Sequence, residues 1–177
     1  MTHTEALAQF SLAVRESSVK RLRKTPQGKE CVRLRKGGMN IAEIGYHILE
    51  ADTWLFEKLR NRDLEPMVGR AGFIQDISAE AFHTLVEDLV LSGRKRSELI
   101  KNLSDKQFFE PITDARFGGE TTVWWVIVRG NLDHEIHHRG QLSLHLRLLG
   151  APADTKVEPA FRDRRSADSS GSSKDPW

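Results

Sequence analysis

The chain of 177 residues is long enough for one well-buried domain and too short for two ordinary ones. Charged residues make up 29% of the sequence and hydrophobic residues 38%, and no apolar run approaches the roughly 20 residues of a membrane span. The net charge is only +2, and the single Cys31 excludes an intramolecular disulfide framework and fits a reducing cytoplasm.

The first predicted helix is followed by a basic segment. The helix runs from about Thr4 to Arg23, and Thr2 and Glu5 have the spacing of a capping box. Residues 21–36 hold seven basic side chains against one acidic one, which could bind a phosphate, a nucleic-acid backbone or an anionic substrate. We favour a solvated connector, because no aromatic residues are interleaved to stack on bases and no nucleic-acid-binding motif accompanies the segment.

Three further segments have helical spacing of apolar residues. The second helix opens at Asn40, with Glu43 three residues later as in a capping box. The third starts at Ser78, although Gly93 weakens its middle, and the fourth spans about residues 122–149. Four long helices in one small domain predict an all-α fold, an antiparallel four-helix bundle.

The connections and the C-terminus complete the predicted organisation. Residues 61–77 and 104–121 are rich in Gly, Pro and Asp, and we expect longer crossover loops that cover the bundle ends. The sequence Phe117-Gly118-Gly119 is consistent with a short hairpin. We expect residues 1–160 to form the bundle domain and residues 161–177, which are poor in apolar side chains, to be a disordered tail.

Three imidazoles fall within five residues of the fourth helix. His134 and His138 are one turn apart on the inward face, as the two histidines of a helical metal site must be. His137 falls at the edge of that face. We therefore expect His137 and Gln141 to contact the metal ligands without binding the ion themselves. Inward histidines can also be hydrogen-bonded core residues, but two of them are expensive to bury without a partner.

An ion that is held by three protein ligands keeps its fourth coordination position open. This open position distinguishes a catalytic metal centre from a structural one. His47 lies midway along the inward stripe of the second helix, and this helix can pack beside the fourth. His83 is the competing candidate, but its apolar neighbours do not place it clearly inside the bundle. A site of three histidines suits a divalent ion and does not discriminate among Zn²⁺, Ni²⁺, Fe²⁺ and Mn²⁺.

Two motifs in these helices resemble the DinB/YfiT-like family, named for damage-inducible proteins. The motifs are Gly45-Tyr46-His47-Ile48-Leu49-Glu50-Ala51-Asp52-Thr53-Trp54 in the second helix, and Thr122-Val123-Trp124-Trp125 leading into His134-Glu135-Ile136-His137-His138-Arg139-Gly140-Gln141-Leu142, closed by Leu148-Leu149-Gly150. The resemblance covers most of residues 1–150. It implies a four-helix bundle and a metal triad of His47, His134 and His138. Relatives include thiol-dependent transferases and isomerases, so the resemblance leaves the reaction open.

Together these observations predict a divalent-metal-binding protein that acts on a small molecule. The expected chemistry is metal-dependent hydrolysis or transfer of a low-molecular-weight thiol, with Glu50 and Glu135 as candidates for the general base. Gln141 cannot act as a base, but it can orient water or a histidine. The alternative is a non-catalytic bundle stabilised by its metal, with a stress-response or binding role.

We also expect a homodimer and no nucleic-acid partner. On the wheel of the fourth helix, Trp125, Leu132 and Ile136 form a second apolar stripe away from the histidines, which could pair with a second copy of the chain or pack within the bundle. DNA binding is disfavoured because the sequence has no helix-turn-helix signature or sustained basic face.

Overall fold

The computed structural model describes residues 2–62 and 64–151, and over these residues it confirms the all-α bundle. Three of its long helices are α1 (His3–Leu22), α2 (Ile41–Arg60) and α3 (Ala79–Lys101). The boundary predicted at residue 160 and the tail 161–177 lie outside the described residues. Within the described part, no helix combines the length and the apolar character that crossing a membrane requires.

The fourth long helix is built from three consecutive segments. A short α5 (Val123–Trp125) leads into a π-helical segment (Val126–Leu132), which continues as α6 (Asp133–Leu148). We call residues 123–148 the C-terminal helix. It is one helical rod, but its first half does not have the regular spacing of an α-helix.

A small hairpin covers one end of the bundle. After the short α4 (Asp105–Phe108), strands β1 (Pro111–Asp114) and β2 (Gly119–Thr122) pair antiparallel, with Pro111 opposite Thr122. A single 3₁₀ turn joins them and ends at Gly118 and Gly119, whose φ angles are 83° and 126°. Residues with a Cβ atom rarely adopt such φ angles, which is why glycines occupy this turn. The hairpin predicted around residues 117–119 is confirmed.

The helix starts follow from the sequence as predicted. The Thr2 hydroxyl accepts a hydrogen bond from the Glu5 backbone N–H, and the Glu5 carboxylate accepts one from the Thr2 N–H. Asn40 and Glu43 form the same reciprocal pair at α2, while the Ser78 hydroxyl caps α3. These bonds satisfy backbone donors that the first turn of a helix leaves without partners.

Two neighbouring pairs of helices run antiparallel. Along α1 and α3, the Ser97 hydroxyl bonds the Ala8 carbonyl, whereas Arg15 lies against Gly93, so residue numbers rise in opposite directions. The helix α2 is also antiparallel to the C-terminal helix, because His47 contacts His134 whereas the later Asp52 contacts the earlier Asn131.

The other two neighbouring pairs run parallel. Residues Gly45 and Asp52 of α2 meet Leu85 and Ser92 of α3, and residues Arg15 and Arg21 of α1 meet Glu135 and Ser143 of α6. Parallel neighbours need a connection that returns along the bundle. The long segment between α2 and α3, predicted as a crossover loop, provides it.

Two apolar clusters fill the bundle, with a polar layer between them. One cluster lies around Val19, Ile44, Leu85 and Leu142, and the other around Ala8, Leu55, Ile100 and Ile127. Each of the four long helices contributes buried polar residues that lie between the two groups and contact one another. We call this set the charged layer, and its members are Ser11, Arg15, Asp52, Ser92, Arg96, Asn131 and Glu135.

The second apolar stripe predicted on the fourth helix is not a continuous exposed face. Leu132 is only 1% exposed and packs inside the bundle, whereas Trp125 is 36% exposed and Ile136 is half-buried. The wheel assumed regular α-helical spacing, which the π-helical segment breaks. The alternative reading, packing within the bundle, is therefore correct for Leu132.

Candidate metal centre

The three histidines proposed as ligands come together between α2 and α6. The Nε2 atom of His134 lies 2.9 Å from Nε2 of His47 and 3.1 Å from Nε2 of His138. One ligand nitrogen from each ring can be chosen so that all three lie within 4.8 Å of one another. We call these residues the histidine triad. His134 and His138 face α2 together because both lie in the regular α-helical part of the C-terminal helix.

The donor set of the triad fits a divalent ion. A tetrahedral ion about 2.1 Å from each nitrogen separates its ligand atoms by about 3.4 Å, close to the two distances between Nε2 atoms. Gln141 Oε1 lies 2.9 Å from Nδ1 of His138, and an amide oxygen only accepts, so the proton is on Nδ1 and the Nε2 lone pair is available. Among the described residues, Nδ1 of His47 and Nδ1 of His134 are buried without a hydrogen-bond partner.

Burial keeps the triad in the neutral form that binds metals. Burial, together with the neighbouring imidazoles of His138 and His47, lowers the pKa of His134 to about 3. The pKa of His138 is lowered to about 4, chiefly by burial, although the hydrogen bond that its Nδ1 donates to Gln141 acts in the opposite direction. The pKa of His47 is lowered by burial and partly restored by the nearby Glu50 carboxylate. At neutral pH no proton has to be displaced before an ion binds.

The two candidate bases differ in their surroundings. Glu50, one turn from His47, forms an ion pair of 2.8 Å with Arg70 at the protein surface. Glu135 points away from the triad into the charged layer, where Arg15 and Arg96 bond both of its oxygens. Burial would raise the pKa of Glu135, but these two guanidinium groups outweigh it and hold the pKa at about 2. Glu135 therefore stabilises the bundle, and the structure does not place it beside the ligands.

The remaining histidines lie outside the triad. His137 is exposed and accepts a hydrogen bond from the side-chain amide of Gln141. His138, Gln141 and His137 therefore form a chain of hydrogen bonds. The side chain of His83 is exposed on α3, far from the inward face. His145 is buried, and its pKa is lowered by burial and partly restored by a hydrogen bond with the backbone of Met39.

Two residues near the triad were not expected from the sequence. A Cβ added to Gly69 would lie 3.0 Å from Cε1 of His47, so the crossover loop passes directly over that ring. Arg116 of the hairpin stacks 4.1 Å from the Trp54 ring and pairs with Asp114, and its charge contributes to the low pKa of His134. Both belong to loops whose course helical periodicity does not predict, so no signal in the sequence identifies them.

A cleft of about 450 Å³ opens beside the triad. His138, Gln141 and Gly69 form its inner wall, and the loop between α1 and α2 forms much of its outer wall. Three protein ligands and an adjoining cleft are the arrangement that lets a small molecule reach a metal ion.

Comparisons with known proteins agree with this architecture. The crystal structure of YjoA, a DinB-like protein from Bacillus subtilis, is similar with a TM-score of 0.61, over 84% of this chain and 96% of that chain. Its sequence is 18% identical, so this likeness concerns the fold alone. A search of curated proteins found no match. The sequence model of the DinB family matches residues 1–164, and the chain therefore belongs to the DinB family.

Proposed function

We propose that this chain is a metal-dependent enzyme that acts on a small molecule, with one divalent ion held by His47, His134 and His138. The observation that carries the proposal is the convergence of three neutral imidazole nitrogens from two facing helices. The cleft that reaches His138 supports a catalytic role over a purely structural one, because a metal that only joins helices needs no adjoining cavity.

The residues around the triad have separate tasks. The three imidazoles hold the ion without neutralising its charge, and Gln141 fixes the ring of His138. When bound, a divalent ion such as Zn²⁺, Ni²⁺, Fe²⁺ or Mn²⁺ supplies positive charge that lowers the pKa of a neighbouring thiol or water. The cleft positions the small molecule and excludes part of the solvent.

The surroundings favour transfer of a low-molecular-weight thiol over hydrolysis. Hydrolysis benefits from a free base, but Glu135 is bound by two arginines and Glu50 is paired with Arg70. A thiol has a pKa of about 8.5 and loses its proton to solvent more readily than water does. The thiolate sulfur would then bond to an electrophilic carbon of the second substrate as the bond to the leaving group breaks.

Metal content tests the binding proposal directly. We expect the wild type to carry about one ion per chain by elemental analysis, and His134→Ala or His138→Ala to lose it. His137→Ala should reduce the content less, and His83→Ala is the matched control at an exposed position. The assignment is wrong if His137→Ala loses the ion while His138→Ala keeps it, or if the wild type takes up none of the four ions.

Activity measurements separate the enzyme from the alternative. A panel of thiol-transfer and ester-hydrolysis substrates is assayed with the wild type and with His138→Ala, each with its metal content known. Turnover that requires His138 supports catalysis. A stoichiometric metal with no turnover across the panel would instead support the non-catalytic, metal-stabilised bundle.

We retain the homodimer as part of this proposal, with a smaller surface than the sequence predicted. Trp125 is 36% exposed and Ile136 is half-buried, whereas Leu132 is not accessible to a partner. Light scattering on the wild type and on Ile136→Glu measures it. A monomeric wild type, or a variant that remains dimeric, removes this interface.

A further inference from the structure

The lining of the cleft has exposed apolar side chains and one cation. Leu34 and Leu144 are 36% and 54% exposed, and among the described residues no acidic side chain lines the cleft. Within the same described part of the chain, Arg35 is the one lining residue with a permanent charge. An apolar cleft with a single cation selects a ligand with an apolar body and an anionic group.

Arg35 differs from the arginine two positions before it. The guanidinium of Arg33 binds both oxygens of Glu43 and the carbonyls of Gly38 and Ile74, and so anchors the loop between α1 and α2. The backbone carbonyl of Arg35 accepts a hydrogen bond from Gly38, but its guanidinium makes no hydrogen bond or ion pair with any residue that the structure describes. Its five N–H donors therefore remain available to a ligand in the cleft.

The loop is shaped to carry the side chain of Arg35. A Cβ added to Gly38 would lie 3.0 Å from Cγ of Arg35 and 3.6 Å from its Nε, so the stem of the arginine runs along the loop backbone. Gly37 has a φ of 73°, which lets the loop turn at this point. The position of the guanidinium at the cleft thus follows from an anchored loop with a glycine beneath the stem.

We propose that Arg35 determines substrate specificity by binding the carboxylate of a small molecule whose reacting end lies at the histidine triad. This inference rests on the proposed function for the role of the triad, whereas recognition of the carboxylate depends only on the cleft. The planar guanidinium can bond both oxygens of a carboxylate, and the apolar walls favour a partly aliphatic body. Arg35 belongs to the basic segment 21–36, so one residue of that segment would bind the substrate.

The test uses two thiols of nearly the same size, N-acetylcysteine and its carboxamide, which differ in the negative charge. Calorimetry on the Zn²⁺-loaded wild type should show about tenfold tighter binding of the carboxylate. Arg35→Gln should bring this ratio close to one. Lys36→Gln removes the same charge from the next position, which does not line the cleft, and should leave the ratio within about twofold of the wild type.

Titrations of the metal-free protein by NMR make the test independent of the metal. The carboxylate should still bind more tightly than the carboxamide, and Arg35→Gln should still abolish the preference, even if the chain proves to hold no ion. Three outcomes would overturn the proposal: equal binding of the two thiols by the wild type, equal loss in Arg35→Gln and Lys36→Gln, or a preference that appears only with Zn²⁺ and does not depend on Arg35.

Discussion

At the scale of single residues, the path of Arg15 explains a glycine that is unfavourable for helix formation. A Cβ added to Gly93 in α3 would lie 2.4 Å from Cγ of Arg15, far inside a normal contact. Arg15 is 1% exposed and crosses the bundle to pair with Asp52 and Glu135. Gly93 weakens the middle of the predicted third helix, but its missing side chain leaves the space that Arg15 of the charged layer occupies.

We predict that Gly93→Ala destabilises the protein by about 1–3 kcal/mol, although alanine is the better helix former. The methyl group displaces the buried stem of Arg15 and strains its ion pairs. The matched control is Gly140→Ala in α6, where a Cβ meets nothing within 4 Å and should stabilise by up to about 1 kcal/mol. Urea unfolding measures both variants, and a stabilised Gly93→Ala would contradict this account.

At the scale of helices, the positions where helices start could be predicted from the sequence more accurately than the faces that they turn toward the core. The caps at Thr2, Asn40 and Ser78 depend on neighbours three residues away, so they are legible from the sequence alone. The spacing of His134 and His138 is equally local, because both follow the π-helical segment. That segment puts more than 3.6 residues into each turn, so a regular wheel drawn through it loses register.

The direction of Glu135 illustrates what could not be predicted. It depends on Arg15 and Arg96, which are distant in sequence and come from two other helices. The same holds for Gly69 and Arg35, whose loops reach the triad and the cleft through contacts that have no periodic signature. Local patterns predicted the residues of the histidine triad, and only the packed structure gives their surroundings.

We predict that Glu43 makes stability depend on pH in acid. Burial would raise the pKa of Glu43, but hydrogen bonds from Arg33 and from the backbone of Ile74 and Asn40 outweigh it and lower the pKa from 4.5 to about 2. A carboxyl whose pKa falls on folding stabilises the protein above its unfolded pKa, and this contribution is lost as the pH falls from about 5 toward 2. At neutral pH it is fully present.

The measurement is the free energy of unfolding of the wild type and of Glu43→Gln between pH 7 and pH 2. The variant should be less stable at pH 7 and should lose less stability on acidification. Glu80→Gln, at an exposed position in the first turn of α3, is the control and should follow the wild type. Identical slopes for the wild type and Glu43→Gln would show that the Arg33 pair does not contribute to acid unfolding.

At the scale of the whole molecule, the bundle is divided by its charged layer. Arg15 and Arg96 balance Asp52 and Glu135, so the layer has no net formal charge and draws on all four long helices. Breaking one member of such a buried network leaves an uncompensated charge, at a cost of about 3–5 kcal/mol. The layer fixes how the helices sit against one another, and the triad lies beside it, between α2 and α6 alone.

This arrangement predicts that removal of the metal lowers the melting temperature without unfolding the bundle. The ion would join two of the four helices, while both apolar clusters and the charged layer remain intact without it. At a metal concentration about a thousand times the dissociation constant, binding contributes about 4 kcal/mol, equivalent to roughly 10 °C. Circular dichroism should therefore show nearly unchanged helix content at 20 °C after chelation, with a lower midpoint on heating. In His138→Ala, chelation should leave the midpoint where it was. A wild type that is demonstrably metal-free by elemental analysis yet melts as before would show that the histidine triad is not coupled to folding.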